Sequence, residues 1–285
     1  MVKRTLAVAS LALLLVGCDR FEVKGFFMPT GDVANSRFEQ SLALHGSEPI
    51  ARLEADGEYL FYVCTDPHIC TTANNLRTFV SEFRGDPEAL FGIVLGDCID
   101  KQGSMPTYVE AINHLADTRP SPIFSVLGNH DLYFSQWDDF RELVGPSHYW
   151  FEVSHSSGND LFLALDTASG TLGVRQMEWL REFFAQHRSD YRHCVVITHA
   201  NLFYNDNSQR TSGNLPLVET MELLDLFDRH DVLLCLQGHD HHRDDLTYRG
   251  VRYTIVGTLR EEVDNPEYLR VRLSEDNIEY NWREL

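Results

Sequence analysis

From residue 58 the chain alternates short apolar runs with stretches whose apolar residues recur three or four positions apart. Tyr59–Cys64, Phe91–Leu95 and Ile123–Leu127 are unbroken apolar runs of strand length. Between them, Leu76, Phe79, Val80 and Phe83, and then Val109, Ile112 and Leu115, fall at helical spacing, which predicts a helix after each of the first two strands. Tyr149–Val153 and Leu161–Leu165 flank the polar stretch SHSSGND and predict a hairpin. A helix carrying Met177, Leu180 and Phe184 follows, then a strand at Cys194–Thr198, a helix over Leu217–Arg229 and a strand at Val232–Leu236. The tail from Thr247 reads as hairpins built from RYTIVGT, EYLRVRL and IEYNW. No linker rich in Pro, Gly or Ser interrupts the rhythm. The pattern implies a single α/β domain with two facing sheets whose parallel strands are joined by helical crossovers.

Residues 56–285 carry this pattern, and 18–55 read as an exposed lead-in, with Asp32 capping a short helix that holds Val33, Phe38 and Leu42. Residues 1–17 are of another kind. Lys3 and Arg4 precede the apolar stretch Leu6–Val16, which is too short to span a bilayer. Leu15-Val16-Gly17-Cys18 resembles the lipobox of bacterial lipoproteins. That resemblance implies cleavage before Cys18, lipidation of its thiol and a membrane-anchored protein of the bacterial cell envelope. A plain secretory signal with a chance cysteine is the alternative.

The 285 residues are 43% hydrophobic and 24% charged, with a formal charge of −19. Cleavage after residue 17 would remove Lys3 and Arg4 and no acid, leaving the chain more acidic still. Such a surface excludes sequence-independent nucleic-acid binding, which draws on released counterions and needs basic side chains. It does not exclude an anionic substrate, because a bound metal inverts the local field. Of the cysteines beyond Cys18, Cys64, Cys194 and Cys235 sit in apolar runs as small hydrophobes. Cys70 and Cys98 leave a disulfide open.

The strand ends change the picture. The first run is followed by TDPH with Asp66 and His68, the second by GDCID with Asp97 and Asp100, and the third by GNHD with Asn129, His130 and Asp131. Cys194–Thr198 is followed by His199, and Val232–Leu236 by QGHDHH with His239 and His241. Singly, each is an ordinary polar turn or helix cap. Together they bring oxygen and nitrogen ligands from five strands to one edge of a sheet, where α/β proteins build their sites.

The blocks D-x-H, GD-x-x-D, GNH-D, a lone His and GH-x-H, in this order, resemble the calcineurin-like metallophosphoesterases over roughly residues 58–260. The resemblance implies a four-layer α/β fold, two facing mixed sheets flanked by helices. It implies two metal ions: one held by Asp66, His68 and His241, the second by Asn129, His199 and His239, with Asp97 bridging them. This donor set suits Mn, Fe or Zn. The implied reaction is hydrolysis of a phosphate ester by a metal-bridging hydroxide. His130 would donate a proton to the leaving oxygen, oriented by Asp100 in a pair that favours the protonated ring.

Substrate class is less legible. The serine/threonine phosphatases of this superfamily continue GD-x-x-D with Arg-Gly, where this chain has Lys101-Gln102, and purple acid phosphatases carry Tyr at the position of Asp100. GPSHYWFEV, LFLALDT and VRQMEWL resemble secreted and cyclic-nucleotide-phosphodiesterase-like members, which include monoesterases and diesterases. A phosphomonoesterase is the first expectation. A phosphodiesterase acting on (cyclic) nucleotides or lipid head groups is the second. A binding protein that keeps the metals without turnover would lack a ligand or His130, and both are present. The loop 201–216 follows a ligand directly, so Tyr204, Asn205 and Arg210 are either substrate contacts or parts of a solvated loop.

Overall fold

The computed structural model describes residues 30–285 apart from positions 47, 102, 207 and 276. The signal segment 1–17 and Cys18 lie outside the described residues.

The strands form two mixed sheets. In the seven-stranded sheet the order is β1 (Arg52–Glu54), β5 (Tyr149–His155), β6 (Gly158–Leu165), β7 (Tyr191–Thr198), β8 (Leu234–Gln237), β10 (Val251–Ile255) and β9 (Asp244–Tyr248). In the five-stranded sheet it is β12 (Ile278–Glu284), β11 (Glu267–Leu273), β2 (Tyr59–Cys64), β3 (Ala89–Val94) and β4 (Ile123–Ser125). Parallel pairs run β2–β3–β4 in one sheet and β6–β7–β8 in the other. The hairpins β5–β6, β9–β10 and β11–β12 are antiparallel.

Strand residues alternate between two apolar environments because each sheet is covered on both faces. Phe61, Phe91, Phe124, Phe151 and Phe162 meet in the layer between the sheets, with the rings of Phe124 and Phe151 stacked at 3.8 Å. The outer face of the five-stranded sheet packs on α2 (Asn74–Gly85) and α3 (Met105–Ile112), with Phe79 and Phe83 buried. The outer face of the seven-stranded sheet packs on α5 (Gly173–His187) and α6 (Leu217–Arg229), through Leu180, Phe184, Leu223 and Phe227. The four-layer sandwich expected from the sequence is therefore present.

Two expectations need correction. The lead-in is not exposed where it is described: α1 (Thr30–His45) buries Phe38 and Arg37, and β1 pairs with β5. Arg37 donates from Nε and Nη2 to both carboxylate oxygens of Asp166, at 2.8 and 3.0 Å, an ion pair that no apolar periodicity could reveal. Also, α3 stops at Ile112. Leu115 lies beyond it, exposed and with φ +59°, so the third apolar position belongs to a turn. The short α4 (Trp137–Leu143) buries Phe140. Among the described residues no helix is long and apolar enough to cross a membrane.

Candidate metal centre

The carboxyl ends of β2, β3, β4, β7 and β8 come together, and the turns leaving them are pressed close. A Cβ added to Gly128 would stand 2.0 Å from the Asp97 nitrogen, and one added to Gly238 would stand 2.1 Å from Thr65 Oγ1. Glycine is required in GNHD and QGHD because turns from different strands touch there. The backbone bends sharply at the same places. Asp66, His68, Asp97, His239 and His241 all have left-handed backbone, with φ between 43° and 73°. Asp and His tolerate that region better than most residues, but each still stores strain. Five of the seven expected ligands share it, so the fold spends conformational energy on aiming their side chains.

The donors form two groups joined by one carboxylate. In the first, His68 Nε2 lies 3.5 Å from Asp66 Oδ1 and 3.5 Å from Asp97 Oδ2. His241 Nε2 lies 3.2 Å from Asp66 Oδ1 and 3.1 Å from His68 Nε2. In the second, His199 Nε2 lies 3.3 Å from Asp97 Oδ1 and 3.0 Å from Asn129 Oδ1. His239 Nδ1 lies 3.0 Å from Asn129 Oδ1 and 3.2 Å from His199 Nε2. The structure thus brings together all seven residues named from the sequence, and Asp97 offers one oxygen to each group.

The surroundings fix which atoms face inward. Asp66 Oδ2 accepts the Thr65 hydroxyl at 2.6 Å and the His239 N–H at 2.9 Å. Its Oδ1 is buried without a well-formed hydrogen bond and points at the two imidazoles. His199 directs Nδ1 to the Leu95 carbonyl at 2.8 Å, which leaves Nε2 for the interior. Ring nitrogens facing each other at 3.1 and 3.2 Å beside carboxylates and an amide oxygen are converging lone pairs, an arrangement that a cation satisfies. The residues present fit a pair of metal ions.

Charge in the protein without ions tells the same story. Burial pushes the Asp97 carboxyl up, yet the His199 cation outweighs it and holds it at about 2. Asp66, also against burial, lies well below the usual carboxylate range through its contacts with His241 and His68. Burial opposes a charged His199, but Asp97 raises it to about 10, whereas burial and that neighbouring cation drop His239 to about 4. Metal binding at this nitrogen would require loss of the proton, so affinity there falls as pH falls.

His130 sits beside the first group. Its Nδ1 is 3.1 Å from Asp100 Oδ1, its Nε2 is 4.0 Å from Asp97 Oδ2, and its backbone N–H donates to Asp97 Oδ1 at 2.8 Å. The ring meets His68 edge-on at 4.4 Å and Tyr133 at 4.7 Å. The pairing with Asp100 is as expected, but its effect on charge is not. Burial outweighs Asp97 and Asp100, so the ring titrates below the ordinary histidine value instead of above it.

In the loop 201–216 the three candidates have partners of their own. The Arg210 guanidinium pairs with Asp206 and lies over the Tyr204 ring, at 5.2 Å from its centre, and Asn205 donates to the His242 carbonyl at 2.9 Å. Its short, polar sequence satisfies itself and fastens the loop to the QGHDHH turn. Cys70 and Cys98 are free thiols, as are the other three described cysteines.

Sequence reasoning assigned no role to Asp131 or Thr65. Asp131 is buried and accepts the N–H groups of Gly128 (2.9 Å) and Ile99 (3.1 Å), stapling the GNHD turn to GDCID. Its place in the GNHD block was the available signal, but a carboxylate bonded mainly to backbone N–H groups leaves no spacing to read.

Residues 59–243, more than half of the chain, match the family model of the calcineurin-like phosphoesterases. The chain belongs to this family. As a calcineurin-like phosphoesterase with its donor set in place, it is a metal-dependent hydrolase of phosphate esters. No curated protein matches it by sequence. Among solved structures it is similar to a dimetal phosphatase from Danio rerio, with TM-score 0.62 and 14% identity, covering 80% of this chain and 97% of that one. A similar degree of likeness links it to GAP50, the anchor in the inner membrane complex of Plasmodium (TM-score 0.62, 12% identity, 80% and 85% covered). A purple acid phosphatase from yellow lupin seeds matches with TM-score 0.59 and 11% identity over 81% of this chain and 52% of that one. At these identities the structural likeness speaks for the fold.

Proposed function

We propose that this phosphoesterase is a dinuclear-metal phosphomonoesterase held at the bacterial cell envelope by a lipid on Cys18. One observation carries the catalytic part: His130, backed by Asp100 at 3.1 Å, stands at the edge of the donor cluster that Asp97 bridges. Two ions held there would supply Lewis-acid polarisation of a phosphoryl oxygen and a water of lowered pKa.

The chain's own residues supply the rest. Asp100 fixes the tautomer and tilt of His130 through Nδ1, leaving Nε2 to give a proton to the departing ester oxygen. A monoester dianion carries more charge than a diester, and cations near this rim favour it. Lys101 Nζ lies 5.9 Å from the centre of the Tyr133 ring, which itself touches His130. Arg260 is close enough for its charge to act on His68. The second reading, a phosphodiesterase acting on (cyclic) nucleotides or lipid head groups, stays open because GPSHYWFEV, LFLALDT and VRQMEWL resemble family members that include both monoesterases and diesterases.

A panel of monoesters and diesters assayed with the purified metal-loaded protein decides between the two readings. A higher kcat/KM on monoesters supports the first, and the reverse order supports the second. Anchoring is tested separately. Cys18→Ser is expected to abolish lipid labelling and either release the protein or leave its precursor uncleaved. Wild-type protein free of lipid and shed into the medium would remove that part of the proposal.

A further inference from the structure

Val174, in the first turn of α5, and Leu217, Val218 and Met221, in the first two turns of α6, are exposed by 63, 62, 78 and 46%. They form one patch. Arg181 pairs with Glu222 across the two helices. Val174 lies two turns before Arg181, and Val218 lies one turn before Glu222, so the two valines sit at the same end of the helix pair. Glu219 completes the junction by accepting the Leu172 N–H at 2.9 Å and the Thr171 hydroxyl.

This end of the helices is the metal edge of the sheet. α5 departs from the carboxyl end of β6, and α6 follows the loop that leaves His199. That loop is fastened to the QGHDHH turn where Asn205 bonds the His242 carbonyl, and its two ends are joined where the Asn214 amide reaches Asn201, two residues after His199. The patch therefore lies on the side of the molecule where the donor-bearing strand ends lie.

The chain also enters the fold here. Asn35, near the start of α1, accepts the N–H of Arg175 at 2.9 Å, directly beside Val174. Cys18 precedes Thr30 by a segment whose reach is at most about 40 Å, and Gly25-Phe26-Phe27-Met28 is separated from α1 in the sequence by Pro29 alone. A lipid on Cys18 would hold a bilayer within that distance of the start of α1, five residues before the Asn35 that bonds Arg175.

We propose that a lipid bilayer covers Val174, Leu217, Val218 and Met221, seating the enzyme with its metal edge toward the membrane surface. The proposal rests on the anchoring part of the proposed function. A patch of four side chains binds weakly by itself. The tether converts that weak contact into a local one at high effective concentration. Because the protein is acidic, zwitterionic lipid is the better surface and anionic lipid repels it. The substrates placed within reach would be phosphate esters displayed at the bilayer.

The test uses full-length anchored protein in phosphatidylcholine vesicles that contain a spin-labelled lipid. An environment-sensitive fluorophore is attached at Val218→Cys or, as the control, at Asp56→Cys in the exposed turn before β2. Loss and blue shift of emission at position 218, with neither at 56, is the expected result. Unquenched emission at 218, or equal quenching at both positions, overturns the proposal. So does a probe at 218 that is already shielded before vesicles are added, since a second copy or the chain's own leading segment would then cover the patch. A Val174→Asp/Val218→Asp variant places acids at two helix N-termini, where they do not harm the helices. It should keep its rate on soluble nitrophenyl phosphate and lose rate on an ester carried in the vesicles. Equal rates on the vesicle ester would also overturn the proposal. Mass spectrometry of Cys18 reports the anchor independently, so a missing lipid and a misplaced patch give different results.

Discussion

Asp100 Oδ1 stands 3.1 Å from Nδ1 of His130, and the opposite nitrogen of the same ring faces Asp97. One side of the imidazole is thus engaged by a fixing carboxylate and the other is turned to the donor cluster. A ring held this way is useful in proportion to how badly the leaving oxygen needs a proton. General acid catalysis contributes roughly 10²–10⁴-fold. His130→Asn is expected to slow alkyl phosphates by a factor in that range and nitrophenyl phosphate far less, with metal content unchanged. Asp100→Asn should show the same pattern more weakly. Equal losses on both esters would assign His130 to binding the phosphoryl oxygens.

Arg37 and Asp166 form a buried bidentate pair between α1 and the end of β6. Removing one partner strands the other charge, at a cost of about 3–5 kcal/mol. Arg37→Met should therefore lower stability in urea melts by that order, and Arg37→Met/Asp166→Asn should recover part of it. A single variant as stable as wild type would show that α1 contributes little to the fold.

His148 is buried against Trp179 and points Nδ1 at the Ala164 carbonyl, 2.9 Å away. Burial, reinforced by the charge of His45, lowers its pKa from 6.5 to about 3. Between those values the unfolded chain takes up a proton that the folded chain refuses. The stabilisation from a neutral His148 is thus full above about pH 6.5 and is lost as pH falls toward 3. Its slope is at most about 1.4 kcal/mol per pH unit. In denaturant melts between pH 6.5 and 4.5, His148→Gln should lose less stability than wild type. Parallel losses would contradict the assignment.

The site was legible in the sequence because a strand end is a fixed address. Asp66, Asp97, Asn129, His199 and His239 each follow an apolar run within a few residues, so the sheet alone brings them together. The helices α5 and α6 and the hairpin β5–β6 were readable for a similar reason, since burial on one face writes a period into the chain. What stayed hidden depends on contacts without a period. Arg37 meets Asp166 across 129 positions. The edge strands β1 and β9 are short, and polar along much of their length, so no alternation marks them. The pairing of Arg210 with Asp206 and its stacking on Tyr204 are local contacts of a polar loop and write no period either. The charge of His130 turned on burial, which a motif does not record.

In the proposed centre Asp97 joins two metal sites, with His68 belonging to the first and His199 to the second. Elemental analysis of purified wild-type, His68→Ala and Asp97→Asn proteins tests it most directly. Wild-type protein is expected to carry two ions per chain, His68→Ala to lose mainly one, and Asp97→Asn to hold both more weakly. An Asp97→Asn protein that keeps both ions at full occupancy would contradict it.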